Sequence, residues 1–175
     1  MERSTFIPFT QEGPDAREYL RGILDDARAM TLEHIEGVTQ EELDWQYAPG
    51  WNSIGALLHH FVSNDHYFRI LFVKGSRLTD SDHDRWCPGQ ELGEHVSGLL
   101  GTPLDTLLSQ LKESRQAVME SLDSVSAEYF VAHRQGYNPE TGFNLAWALY
   151  HLAEDEIHHR GQISLLRKLY AAESR

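Results

Sequence analysis

Residues 143–171 read FNLAWALYHLAEDEIHHRGQISLLRKLYA, and this stretch decides the fold. Its core-type residues recur at intervals that mostly alternate between three and four, which predicts a helix with one face packed into a core. At about 1.5 Å per residue, the helix is long enough to span the full edge of a helical bundle. The core-facing stripe consists of Leu145, Ala148, Leu152, Asp155, His159, Gln162, Leu166 and Leu169.

Three further helical patterns precede this one, at about residues 14–37, 53–74 and 102–122. Residues 76–101 and 123–142 are polar and contain glycine, which predicts two long irregular connections. Such connections allow consecutive helices of a bundle to follow a non-simple order. No segment shows the alternation typical of a strand. The sequence therefore predicts an all-α protein, an antiparallel four-helix bundle with long connections between helices 2 and 3 and between helices 3 and 4. Residues 1–175 are expected to form a single domain.

Local signals predict where the helices begin and end. Pro14 suits a first helical turn, and Gly37 suits the end of the first helix. Residues 39–42 read as a capping box that opens a short helical turn. Ser53, or Asn52 before it, is expected to cap the second helix. Thr102 is expected to cap the third, with a proline in its first turn.

The charge balance narrows the range of partners. The chain has 27 acidic and 15 basic residues and a formal net charge of -12, which disfavours nucleic acids and anionic membranes. Cys87 is the single cysteine, so no intramolecular disulfide can form, as suits a reducing cytoplasm. No partner base for its thiol is identifiable. The N-terminal residues lack the apolar core of a signal peptide, and no apolar run approaches the roughly 20 residues of a membrane span. A soluble, cytoplasmic protein is expected.

Asp155 and His159 interrupt the core-facing stripe with a carboxylate and an imidazole. An ionised carboxylate is costly to bury without a partner, and a divalent cation would compensate for it. Because side chains at i and i+4 point the same way, Asp155 and His159 can share one ion. His60, beside the core stripe of the second helix, offers a third ligand. Three protein ligands leave a position open for water and for catalysis.

Two segments resemble the signature segments of the DinB/YfiT-like metalloprotein superfamily. They are residues 52–60, NSIGALLHH, and residues 155–163, DEIHHRGQI. Helix order, the long second connection and chain length also match. The resemblance implies a four-helix bundle that binds nickel or zinc through one histidine of the second helix and two residues four apart in the last. By position these are His60, Asp155 and His159. Many relatives carry histidine where this chain has Asp155, and two imidazoles with one carboxylate would also suit ferrous iron.

The resemblance also implies several functions. Characterised relatives include transferases and isomerases that use low-molecular-weight thiols. The first hypothesis is therefore a metal-dependent enzyme, like a thiol S-transferase or a hydrolase, with an activated thiolate or water as nucleophile. The second is a non-catalytic metal-binding bundle that acts in stress response or protein interaction. The third is a helical dimer whose polar core binds nothing. Relatives often dimerise, so a homodimer is expected.

Other polar residues of the last helix leave alternatives open. His151 lies one turn before Asp155, and it is either a partner of the site and a candidate catalytic proton acceptor or an ordinary helix histidine. Glu156 is an alternative carboxylate ligand, although it is expected to point elsewhere. Arg160 would hold a substrate carboxylate or form an ion pair within the bundle. Gly161 suggests a close approach of another helix.

Overall fold

The computed structural model describes residues 16–135 and 142–174. Most of these residues are helical. A π-helical turn, Arg69–Val73, directly follows the helix that ends at Phe68, and a 3-10 turn, Gly93–His95, precedes the helix that begins at Val96. Two short strands, β1 (Arg134–Gln135) and β2 (Gly142–Phe143), pair antiparallel. The α-helices of the described residues are α1 (Ala16–His34), α2 (Gln40–Asp44), α3 (Ile54–Phe68), α4 (Asp80–Glu91), α5 (Val96–Leu99), α6 (Leu104–Leu122), α7 (Ala127–Val131) and α8 (Leu145–Glu173).

The four long helices α1, α3, α6 and α8 form a bundle, which confirms the predicted all-α fold class. Helix α1 packs mainly on α8, and α3 packs on α4, α6 and α8. The stripe predicted for α8 faces the core, since its leucines at 145, 152 and 166 are buried. The stripe is wider than predicted, because Leu149, Ala153, Glu156 and Ile163 are buried as well.

Two apolar clusters fill the bundle, and every long helix passes from one to the other. The first contains Leu57 and Leu111, and the second contains Leu24, Val118 and Leu149. Helices α3 and α6 begin in the first cluster, whereas α1 and α8 begin in the second. Helices α3 and α6 therefore run the same way, and the long connection between them returns along the bundle instead of forming a simple up-and-down hairpin.

A buried polar layer lies between the two clusters. Each long helix contributes to it at the point where its apolar residues change cluster. Its members are Arg28 and Thr31 of α1, Ser63, Asn64 and Asp65 of α3, Ser114 and Arg115 of α6, and Glu156 of α8. The candidate site described below lies at the α3–α8 side of this polar layer.

Several predicted helix boundaries are confirmed. Gly37 follows the first helix with a φ of +73°, which glycine adopts readily. The Ser53 hydroxyl accepts a hydrogen bond from the Ala56 amide at 3.1 Å and caps α3. The Thr39 hydroxyl accepts one from the Glu42 amide at the start of α2. Pro14 lies outside the described residues.

Three expectations for the connections are wrong. Residues 76–101 are not irregular, because α4 begins there with a capping box in which the Thr79 hydroxyl and the Asp82 carboxylate each accept from the other's amide. Thr102 does not cap α6, since Pro103 is the capping residue and the Thr102 hydroxyl contacts His59 instead. The second connection contains α7 and part of the β1–β2 pair. Among the described residues, no helix is both long and apolar enough to cross a membrane.

Candidate metal centre

Helices α3 and α8 bring together the three residues that the sequence predicts as metal ligands. One ligand atom from each of His60, Asp155 and His159 lies within 4.8 Å of the other two. The Asp155 carboxylate lies between the imidazoles, with Oδ2 at 3.2 Å from His60 Nε2 and Oδ1 at 3.5 Å from His159 Nε2. The two rings stand edge to face, with centroids 4.8 Å apart. That the three residues hold a metal stays a prediction.

A backbone carbonyl of α4 sets the orientation of His60. His60 Nδ1 lies 2.9 Å from the Gly89 carbonyl oxygen, which can only accept, so Nδ1 carries the proton and donates it. In the neutral ring, Nε2 then presents a lone pair toward Asp155. Glycine is required for this approach, because a Cβ at position 89 would collide with the Ser63 hydroxyl and lie 2.9 Å from the His59 carbonyl oxygen.

The second imidazole is oriented in the same way from within α8. His159 Nδ1 lies 3.1 Å from Gln162 Oε1, an acceptor, which leaves His159 Nε2 to face the Asp155 carboxylate. Two imidazole nitrogens with anchored partners and one carboxylate oxygen are a donor set that divalent transition metals accept. The Asp155 and His159 side chains are 23% and 15% exposed, so the site is reachable from solvent.

The charges in the site reinforce one another. Burial raises the pKa of Asp155, but its hydrogen bonds with His159 and His60 outweigh that effect and hold the pKa well below its ordinary value. Burial lowers the pKa of His159, but the hydrogen bond with Asp155 raises it above the ordinary value. Asp155 is therefore ionised at neutral pH, and it places a negative charge between two imidazoles.

Asn64, which was not among the residues predicted from the sequence, closes the site on the α3 side. Asn64 Nδ2 lies 2.7 Å from Asp155 Oδ2 and 3.0 Å from His60 Nε2. The residue is 3% exposed, and its Oδ1 is buried with no hydrogen-bond partner among the described residues. The signal was available, since Asn64 follows His60 by four residues, the same spacing that relates Asp155 to His159. A buried, unpartnered oxygen beside three converging ligands supports the fit of a cation.

Glu156, the alternative carboxylate ligand, lies in the polar layer. Its Oε1 accepts from Arg28 Nε at 2.8 Å, and its Oε2 accepts from Arg115 Nη2 at 2.7 Å. Asp65 completes this network through Arg28 at 3.1 Å and Arg115 at 3.0 Å. Burial raises the pKa of Glu156, but the charges of Arg28 and Arg115 together outweigh this effect and lower the pKa to about 2. Two carboxylates and two guanidinium groups thus neutralise each other, and Glu156 is bound in this network instead of facing the candidate metal site.

The remaining residues of α8 that the sequence singled out contact groups other than the three ligands. His151 Nδ1 is 3.0 Å from Glu154 Oε2, and its exposed ring stacks on Trp147 with centroids 5.0 Å apart. Arg160 donates to the Ala27 carbonyl oxygen at 3.4 Å. No described atom of another helix lies within 4 Å of a Cβ built at Gly161, so the expected close helix approach there is wrong.

A second group of metal-type side chains lies at the end of α4. Ligand atoms of Cys87, Glu91 and His95 lie within 4.8 Å of one another, and Glu91 and His95 are exposed. Burial and the nearby Glu91 carboxylate raise the pKa of the Cys87 thiol, which stays protonated at neutral pH. A protonated thiol is a poor nucleophile and a poor ligand, so this group is the weaker candidate.

Comparison with known families agrees with the geometry. A family model described as the DinB superfamily matches residues 23–163, which is most of the chain. The matched range contains His60, Asp155 and His159, together with the polar layer. No curated protein matches the chain.

Proposed function

The chain belongs to the DinB superfamily, and on that premise we propose that His60, Asp155 and His159 hold one divalent metal ion. The observation that carries the proposal is the convergence of two imidazole Nε2 atoms on one carboxylate, each imidazole having its Nδ1 anchored elsewhere. When both rings are neutral and protonated at Nδ1, their Nε2 lone pairs face the Asp155 carboxylate, and a cation between them would replace that repulsion by attraction. Nickel or zinc is the expected ion from the resemblance. Iron is the alternative that the donor set allows.

The proposed activity is that of a metal-dependent enzyme. A divalent ion with an open position lowers the pKa of a bound thiol or water and so supplies a nucleophile at neutral pH. With Asp155 as the sole anionic ligand, the site keeps a net positive charge, which favours an anionic thiolate. The substrates would be a low-molecular-weight thiol and an electrophile, and water in place of the thiol would make the reaction a hydrolysis. His151 has no assigned part, because it contacts Glu154 and Trp147.

A homodimer is also part of the proposal. The outer face of α8 exposes large apolar side chains at helical spacing: Trp147, Tyr150, Ile157 and Leu165. Exposed apolar side chains that form a stripe are typical of interaction surfaces. The mass of the protein in solution, measured by light scattering, would be twice the chain mass, and Leu165→Glu would lower it to one chain. A monomeric wild-type protein would contradict this part.

Elemental analysis of untagged protein, purified without chelator, tests the metal site. We expect about one equivalent of a transition metal in the wild type and a loss of it in His159→Ala. His83→Ala is the matched control, because His83 is an exposed histidine of α4 outside the three-residue site. Equal metal content in the wild type and His159→Ala would contradict the assignment.

Turnover assays test the enzyme hypothesis once a metal is found. The metal-loaded protein would be incubated with several low-molecular-weight thiols and an activated halide, and release of the halide would be followed. Turnover that disappears in His159→Ala and persists in His83→Ala would support the transferase. Metal binding with neither thiol transfer nor ester hydrolysis would favour the non-catalytic metal-binding bundle instead.

A further inference from the structure

The side-chain amide of Asn64 lies within hydrogen-bond distance of two of the three candidate ligands. Its amide nitrogen lies at 2.7 Å from Asp155 Oδ2 and 3.0 Å from His60 Nε2, while those two atoms lie 3.2 Å apart. Around an ion with bonds of about 2.1 Å, neighbouring ligand atoms are roughly 3.0–3.4 Å apart. The distance of 3.0 Å to His60 Nε2 falls in this range and that of 2.7 Å to Asp155 Oδ2 is slightly shorter, so the Asn64 amide lies close to the position of a fourth ligand.

The Asn64 atom that faces these two ligands is Nδ2, a hydrogen-bond donor, which cannot bind a cation. Asn64 Nδ2 donates to the lone pairs of His60 Nε2 and Asp155 Oδ2, and a cation in the site would take both lone pairs. The two N–H groups would then point at a positive charge. The side-chain oxygen of Asn64, by contrast, is buried and has no partner among the described residues.

A half-turn of the amide removes this conflict. The nitrogen and oxygen of an amide have nearly the same size, so exchanging them needs no repacking. The turn gives up no hydrogen bond at the Oδ1 end, because Oδ1 has none to lose. The two bonds lost at the Nδ2 end are those that the ion would replace. An amide oxygen is a good ligand for hard and intermediate divalent ions.

We propose that Asn64 is a fourth ligand of the metal, through Oδ1, after a half-turn of its side-chain amide. This inference rests on the proposed metal site at His60, Asp155 and His159. Two imidazole nitrogens and two oxygens form a harder donor set than the three-histidine set of many relatives. Such a set favours ions that accept five or six ligands, because these keep open positions for a thiol or water beside four protein ligands.

Cobalt(II) titrations of the full-length protein test this role, because the visible bands of Co²⁺ intensify as its coordination number falls. Asn64→Leu has a similar volume and no ligand atom, whereas Asn64→Asp keeps an oxygen and cannot donate. We expect Asn64→Leu to raise the Kd for Co²⁺ about 10–100-fold and to intensify the visible bands. Asn64→Asp should bind at least as tightly as the wild type and keep its spectrum. Ser63→Ala, at the buried neighbour, is the control.

The outcomes separate this role from the alternatives. If Asn64 only orients its neighbours by donating N–H groups, Asn64→Asp binds Co²⁺ more weakly than the wild type, and the proposal fails. A wild-type spectrum and affinity in Asn64→Leu also overturns it. Should Asn64→Leu fail to fold, as shown by circular dichroism, the Asn64→Asp comparison decides alone. Failure of the wild type to bind Co²⁺ overturns the metal site itself.

Discussion

Asp155 and Glu156 are neighbours in α8, yet their carboxylates belong to different structures. Asp155 Oδ2 lies 3.2 Å from His60 Nε2 in the candidate metal site. Glu156 Oε2 lies 2.7 Å from Arg115 Nη2 in the polar layer. Because consecutive side chains of a helix point about 100° apart, one carboxylate faces α3 while the next faces α1 and α6. Substitutions at the two positions should therefore separate metal binding from folding stability.

Glu156→Gln is expected to destabilise the fold strongly. It removes one of two negative charges that face Arg28 and Arg115 and leaves an unmatched positive charge in the polar layer. Removing one partner of a buried ion pair costs about 3–5 kcal/mol, and urea denaturation should show a loss of that size. Glu154→Gln changes an exposed acid in the same turn and should alter the free energy of unfolding by less than about 0.5 kcal/mol. Similar stabilities of the two variants would refute a structural role for the network.

The same carboxylate predicts a pH dependence. The pKa of Glu156 falls from 4.5 to about 2 on folding, because the charges of Arg28 and Arg115 outweigh the effect of burial. A group with a depressed folded pKa stabilises the fold fully above its unfolded pKa, and this stabilisation is lost as the pH falls toward its folded pKa. The stability difference between wild type and Glu156→Gln should be constant from about pH 7 to pH 5. It should then shrink by about 3 kcal/mol between about pH 4.5 and pH 2. Urea denaturation in a series of buffers measures it, and a difference independent of pH contradicts the assignment.

Asp155→Asn is expected to abolish tight metal binding and to destabilise the chelator-treated protein less than Glu156→Gln does, because Asp155 is partly exposed. A ligand that binds only the folded state stabilises it by about 2.7 kcal/mol when its concentration is 100 times its Kd. Nickel or zinc should therefore stabilise the wild type by that amount and leave Asp155→Asn unchanged. Thermal denaturation with metal and with chelator measures the stabilisation by metal and the stability of the metal-free protein, and Glu154→Gln serves again as the control. An equal response of wild type and Asp155→Asn to metal would exclude Asp155 as a ligand.

The sequence predicted the α8 half of the site because the relevant geometry is local. Four residues within one helix place Asp155 and His159 on the same face, whatever the rest of the chain does. His60 was predicted from its place beside the core stripe of the second helix, and the resemblance implied the same residue. The partners of Glu156 could not be predicted in this way, since Arg28 is 128 positions away. The relative position of two packed helices cannot be read from the sequence of either helix alone. Asn64 shares the local spacing with His60, but its contact with Asp155 again depends on that relative position.

Helix α4 shows a different reason for a missed element. Its residues are mostly polar and only Gly89 is buried, so it has no apolar stripe for a periodicity argument to find. The local signal was a capping box at Thr79 and Asp82, which satisfies amide groups at the helix start without any tertiary contact. The tertiary contact that positions α4 depends on Gly89. This glycine lets α4 approach α3 closely enough for the Gly89 carbonyl oxygen to reach His60.

Gly89→Ala is expected to impair the site from a residue that never touches the metal. The added methyl group would collide with the Ser63 hydroxyl and crowd the His59 carbonyl oxygen, so α4 must shift away from α3. Overpacking of this kind costs about 1–3 kcal/mol of stability. The shift also lengthens the bond from His60 Nδ1 to the Gly89 carbonyl oxygen, and loss of such a supporting bond lowers metal affinity about 10–100-fold. Gly98→Ala is the control, because a Cβ there meets nothing within 4 Å. Calorimetric titration with nickel or zinc measures the affinity, and wild-type affinity in Gly89→Ala would show that the carbonyl of α4 does not set the orientation of His60.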